Sequence, residues 1–496
     1  MAALAAWIER RPGAAFAAFA ALHAVVWTAL PGALYKNLPL DLIEALTYGR
    51  EWQLGHDKHP PLPWWLVEIL YRVFGSDVAY YAFSEVVIVS TFAVVFAAAR
   101  PLVGAVGALV AVLIIDGMHY FNYTAPKFNH DVIQLPFWAL AGFAFRLGLR
   151  GGRLRDWLLL GFAVGMAVWA KYFVVVLIAP LGLFLLIDRD ARRSLATPGP
   201  WVALGAALAV TAPHLVWLVH HDFLPFAHAS ARALPPRGAL DHLLHPLVFA
   251  ASQAMTLAPA LAIALPLRWP RPPEAPAKAD DFDRRIVTVL AFGPAATTLA
   301  LSLVTGRGLV AMWGYPLWVF LGLWIVMTAG AVIDRATLAR IVGLWAIVFV
   351  GLAGAFVVNY AVLPSIDHRY RAAFFPGSRL AEEIDRRFRA TTGAPLRYVI
   401  GNIWVGGNVA HYSADRPRVL IDGNPRRVPW IDLADLTAQG AAVVWVVGDR
   451  TSVPEAYRAV APDAQVGPPF TLPARNGIGE VEVGWAILPP KQVARR

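Results

Sequence analysis

The chain has 496 residues, of which 58% are hydrophobic and only 15% charged. That balance excludes an ordinary soluble globular protein and points to a multi-span membrane protein. The absence of cysteine excludes a disulfide framework, a thiolate zinc site and a thiol nucleophile, and the net charge of +10 reads as basic cytoplasmic loops rather than a nucleic-acid surface.

Taken in order, Arg10 and Arg11 precede an apolar run over 14–33, expected to be a retained first span because no small-x-small cleavage pattern follows it. Further apolar runs begin near Val78, Leu102, Val132, Trp157, Tyr172, Trp201, Leu247, Ile286, Pro316 and Ile341, which makes about eleven transmembrane helices with the first. The run 157–187 is split at Lys171, since a lysine at a turn between two short helices is better hidden than one inside a long helix. Arg and Lys are concentrated in the loops that lie inside if the N-terminus is cytoplasmic. The outside loops are then 34–77, 116–131, the turn at Lys171, 220–246 and 305–315. The proline-rich, charged stretch 268–285 reads as a flexible cytoplasmic loop.

From about residue 363 the pattern changes to short β-rich runs at 397–400, 418–421, 442–447 and 481–488, with helix-like segments such as 378–391. This divides the chain into a transmembrane module, 1–362, with its first outside loop at 34–77, and a small C-terminal α/β domain, 363–496, on the outer side.

The densest polar stretch is 41–65, DLIEALTYGREWQLGHDKHPPLPWW. Asp41 and Glu44 stand at i and i+3, on one face of a helix, and the run Asp57-Lys58-His59-Pro60-Pro61 is expected to end that helix. Residues 123–131 place Lys127, Asn129 and His130 between two apolar spans on the same side, a polar cluster that needs partners or a substrate headgroup. Lys58, Arg232, Arg237 and Arg307 are outer-side cations that several loops can bring to one point, a set suited to a phosphate leaving group. Asp188-Arg189-Asp190 has the form of a D-x-D motif, but at a cytoplasmic helix end it reads as a charge cluster. His56, His59, His220, His221 and His228 lack metal-ligand spacing and read as interfacial histidines; no metal and no cofactor are expected.

An acid just after the first span, a long polar first loop ending in Lys-His-Pro-Pro-Leu, and about a dozen spans together resemble the C-type glycosyltransferases with the GT-C fold. More narrowly, the chain resembles the bacterial relatives of protein O-mannosyltransferases and the lipid A aminoarabinose transferase, over roughly residues 5–360. Within that group the first loop looks most like the lipid A core galacturonosyltransferases. The resemblance implies an inverting glycosyltransferase of the hexosyl or pentosyl class in the bacterial inner membrane. Its partners would be a polyprenyl-phosphate-linked sugar donor, a lipid or glycan acceptor such as lipid A or lipopolysaccharide core, and membrane lipids, with no nucleic acid. An acid at the start of the loop is essential in the family. Here the usual acidic pair becomes Asp-x-x-Glu, which leaves Asp41 and Glu44 both open as the catalytic acid. Lys58 or His59 falls where the family places a residue facing the lipid phosphate. Competing readings are a protein O-mannosyltransferase, a secondary transporter, and a catalytically silent scaffold using the tail for binding.

Overall fold

The structure, a computed structural model, describes residues 1–267, 279–329, 333–368, 371–446 and 452–491. Most of the loop expected at 268–285 therefore lies outside the described residues. The chain forms two compact units, one of Met1–Leu30, Lys58–Pro60 and Tyr81–Phe356, the other of Pro31–Asp57, Pro61–Tyr80 and Val357–Arg496.

The first unit is helical. Among the described residues seven helices are long and apolar enough to cross a membrane, and nine if each of two bent pairs is one span. The protein is thus a multi-span membrane protein. The bent pairs are Tyr172–Ile187 with Arg189–Ala196, and Ala311–Trp318 with Leu321–Ala329. Two features account for the larger number expected from the apolar runs. Leu154–Ala170 has only 17 residues. Asp77–Asp116 is 40 residues long but is broken at Gly104, whose φ of 76° and ψ of 171° suit a residue without a Cβ.

The break reverses the chain. His23 lies 3.0 Å from Glu85 through Nε2 and 3.0 Å from Asp116 through Nδ1. A straight helix would hold those two carboxylates about 46 Å apart. All three side chains are fully or almost fully buried, and Trp345 donates its indole N–H to Asp116 at 2.7 Å. Sharing one imidazole between two acids offsets the cost of placing polar groups in hydrocarbon, roughly 2.5–3.5 kcal/mol for a lone charged side chain at a helix centre.

Lys171 sits where a turn hides it. Its backbone is extended, φ −164° and ψ 136°, between Leu154–Ala170 and the short turn Tyr172–Val174. At the other side of the unit Arg285 pairs with Asp188 at 2.7 Å and Asp190 at 2.6 Å, and Asp188 caps the helix Arg189–Arg192. The D-x-D sequence is a helix-end charge cluster.

The second unit contains a six-stranded mixed sheet. Its strands are β1 (Tyr398–Gly401), β2 (Arg418–Ile421), β3 (Ala441–Val446), β4 (Gln465–Val466), β5 (Phe470–Pro473) and β6 (Glu480–Leu488). The order is β2-β1-β3-β6-β4, with β5 also paired to β6; β1 runs parallel to β2 and β3, and the pairs made by β6 are antiparallel. The helix Gly377–Thr392 covers it, burying Leu380, Ile384 and Phe388 at i, i+4 and i+8 and ending at Gly393 with φ 69°.

The first-loop helix of this unit, Leu40–Gly49, stops well before the run 57–61 that was expected to end it. Gly49 packs so closely that a Cβ there would lie 2.2 Å from the carbonyl oxygen of Trp64, and Trp52 then turns the chain with φ 51°. The following run instead starts the next helix, Leu62–Phe74, with a proline in its first turn.

Candidate active site

In the first unit, four segments meet around His59. Its ring centroid lies 4.3 Å from that of His130 and 5.7 Å from that of His228. His130 opens the helix His130–Gly151, and its Nε2–H donates to the carbonyl of Pro60 at 3.1 Å. Asn129 fixes that helix start, because its side-chain oxygen accepts from the backbone N–H of Asp131 at 2.9 Å and Val132 at 3.2 Å. The next residue, Asp131, is buried and takes the ammonium of Lys171 at 2.6 Å and the amide of Gln134 at 3.1 Å.

The electrostatics follow from this packing. Burial, and then the neighbouring His130, Lys171, His228 and Lys58, hold the His59 imidazole well below its ordinary range. At neutral pH His59 is therefore a neutral hydrogen-bonding group beside Lys58, while Lys171 is paired with Asp131.

The three candidate arginines divide. Arg307 donates to the carbonyls of Ser230 at 2.8 Å and Ala233 at 3.0 Å, so it ties its loop to the end of the helix Leu224–Arg232. Arg232 ends that helix, the same helix that brings His228 to His59, and is exposed. Arg237 is exposed beyond it, its backbone N–H donating to Asp241 at 2.7 Å.

Lys127 and Asn129 line a cavity of about 540 Å³ together with His119, Tyr120, Thr256 and Tyr315. The two tyrosine rings stack with centroids 4.3 Å apart.

In the second unit, Asp41 lies in the first turn of Leu40–Gly49 and Glu44 one turn on, both half-buried. Tyr48, another turn along, is fully buried and donates its hydroxyl to Asp57 at 2.6 Å. Burial, then the charges of Asp57 and Glu44, push the Tyr48 phenol well above its ordinary range, so it stays a donor. Asp57 also takes Arg427 Nε at 2.6 Å, and Arg427 in turn pairs with Asp422. The buried Glu68 receives Arg416 at 3.0 Å and Arg72 at 2.8 Å, and Glu51 receives Arg418 at 2.5 Å. Three ion pairs thus join the segment 51–68 to the C-terminal sheet region inside this unit. His56 belongs here, packed against Tyr48, Trp64 and Trp430, while His221 stacks on Trp217 in the other unit. His56 and the other four of these histidines thus fall in different units.

Sequence reasoning passes over Asp131 and the Lys171 ammonium as members of the His59 cluster, and over the pairing of Asp57 with Tyr48 and Arg427. Lys171 carries a signal, a lone lysine inside an apolar run. The others carry none, since Arg427 lies 370 positions beyond Asp57.

Known proteins resemble this chain over one segment and in its fold. Residues 58–217 match the model of a family described as dolichyl-phosphate-mannose-protein mannosyltransferase. The fold is similar to that of ArnT from Cupriavidus metallidurans bound to undecaprenyl phosphate, with a TM-score of 0.64 at 14% identity over 97% of this chain and 99% of that one. The apo state of the same protein aligns with a TM-score of 0.61 at 14% identity, over 99% and 100%. No curated protein matches. The chain is a multi-span membrane protein of the GT-C fold with a C-terminal mixed sheet. The resemblance to the protein O-mannosyltransferase and aminoarabinose transferase group therefore holds in the segment 58–217 and in the fold of the whole chain.

Proposed function

We propose that the protein is an inverting glycosyltransferase that moves a sugar from a polyprenyl-phosphate donor to a lipid or glycan acceptor at the periplasmic face of the bacterial inner membrane. The observation that carries this reading is the cluster of Lys58, His59, His130 and Lys171 in one unit. A cationic group beside the neutral His59 imidazole suits a phosphate whose charge grows as the glycosidic bond breaks. The likeness to ArnT bound to undecaprenyl phosphate supports the same donor class.

In this reading the acceptor hydroxyl attacks the anomeric carbon, and the bond from that carbon to the phosphate oxygen breaks. The electron pair leaves with the polyprenyl phosphate. Lys58 faces the departing phosphate, with His59 as a neutral donor beside it, and Arg232, Arg237 and Arg307 are the further cations of the outer loops. Asp41 or Glu44 takes the proton of the acceptor hydroxyl, a task that needs no raised pKa. The C-terminal domain, 363–496, handles the acceptor. The family match over 58–217 favours, as a second reading, a protein O-mannosyltransferase with the same donor chemistry and a different acceptor.

The test is mass spectrometry of lipid A, core oligosaccharide and secreted glycoproteins from cells lacking the gene, complemented with wild type, Asp41→Asn or Glu44→Gln. Loss of one sugar, restored by wild type and by only one of the two variants, supports the reading and separates the two acids. Unchanged glycans in the deletion strain overturn it.

A further inference from the structure

The cavity around Lys127 is built differently from the cluster at His59. Its polar walls are already committed. Tyr120 donates its hydroxyl to the carbonyl of Ala311 at 2.7 Å, Tyr315 donates to Thr124, and His119 Nε2 lies 3.2 Å from the Thr256 hydroxyl. Among the described residues no Asp or Glu lines it, and Lys127 is its one Lys or Arg. Burial, and then the charge of Lys127, hold His119 below the ordinary imidazole range, so the histidine adds no second cation. Among the described residues the half-buried Lys127 ammonium meets no carboxylate, unlike Lys171, which is neutralised by Asp131. An ammonium facing a cavity with no counter-charge is poised for an oxyanion.

The rim of the cavity indicates where that oxyanion comes from. Met255, which lines it, is 78% exposed on the membrane-crossing helix Asp241–Ala264, so one side of the cavity opens toward hydrocarbon. Apolar rim and single cation together fit a phosphate headgroup with its acyl chain lying along the span. Neither Lys58 nor His59 is among the residues that line this cavity; Asn129 lies in its wall, and the next residue, His130, packs against His59.

We propose that the Lys127 cavity binds the phosphate of a second lipid, separate from the donor. The proposal rests on the reading in which Lys58 and His59 take the donor phosphate. The second lipid is either a bilayer phospholipid or a phosphorylated acceptor lipid, two sources of one chemistry.

Native mass spectrometry of the full chain released from micelles tests it, with undecaprenyl phosphate, phosphatidylglycerol, phosphorylated and dephosphorylated lipid A, and phosphatidylcholine as probes. Wild type is expected to hold one undecaprenyl phosphate and one further anionic lipid. Lys127→Gln should weaken only the second, by about tenfold, the scale of one charge-assisted hydrogen bond. Lys127→Arg should restore it, and Lys58→Ala should weaken only the first. Whichever of phosphatidylglycerol or phosphorylated lipid A competes names the source. Equal loss of undecaprenyl phosphate in Lys127→Gln and Lys58→Ala overturns the proposal, as does a second lipid bound equally well as phosphatidylcholine. Failure of wild type to bind undecaprenyl phosphate while keeping the second lipid overturns the donor reading instead.

Discussion

Arg427→Leu is expected to destabilise the second unit by about 3 kcal/mol. Asp57 has 7% of its side chain exposed and two partners, the Tyr48 hydroxyl and the Arg427 guanidinium, each at 2.6 Å. Removing the arginine leaves a buried carboxylate with one neutral donor. Breaking a buried ion pair costs about 3–5 kcal/mol, and the 22% exposure of the Arg427 side chain puts this one at the low end. The contact of Arg427 with Asp422 adds little, because Asp422 is 45% exposed. Thermolysin pulse proteolysis of the full chain in micelles across a urea series measures the effect, scored on fragments of the second unit. A loss of about 3 kcal/mol raises the cleavable fraction roughly a hundredfold. In an Asp57→Asn background the same change should cost about 1.5–3 kcal/mol less, since a neutral amide tolerates the loss. Additivity of the two substitutions to within about 0.5 kcal/mol would refute the reasoning.

The His59 imidazole makes stability depend on pH. Its folded pKa is depressed well below 6.5, whereas an unfolded His59 takes up a proton near 6.5. Below that pH the unfolded state binds more protons, so stability falls as pH drops from about 6.5 toward the folded value, and this contribution is flat above it. Wild type should therefore lose up to about 1.4 kcal/mol per pH unit more than His59→Gln below pH 6.5, measured by the same proteolysis; parallel curves would count against a depressed pKa. Gly49→Ala should cost about 1–3 kcal/mol, because its methyl meets the Trp64 carbonyl at 2.2 Å; unchanged resistance to proteolysis would show that the helix Leu62–Phe74 can move aside.

Much of the fold is legible in the sequence because its signals are local. Apolar runs and the lysine at 171 mark the spans and the turn, and short β-rich runs mark four of the strands within a residue or two. The short strands β4 and β5 are not legible, being made by pairing with β6 rather than by their own pattern. Among the candidate residues, the acids Asp41 and Glu44 and the Lys58-His59 step are visible as charge beside a membrane. What surrounds them is not. The packing of His59 against His130, and the arginines at 416, 418 and 427 that meet Glu68, Glu51 and Asp57, arise from folding across long stretches of chain.

The imidazole shared by Glu85 and Asp116 bears on how the chain enters the membrane. During synthesis both carboxylates leave the ribosome long before Trp345, which follows Asp116 by 229 positions. His23 is already made by then, so the first span is the partner at hand when the hairpin reversing at Gly104 arrives. The nascent hairpin then need not wait for the later helices to shield its acids. An N-terminal truncation that removes residues 1–23 would accordingly impair insertion of the following hairpin, and with it the yield of the whole protein, before any folded chain exists.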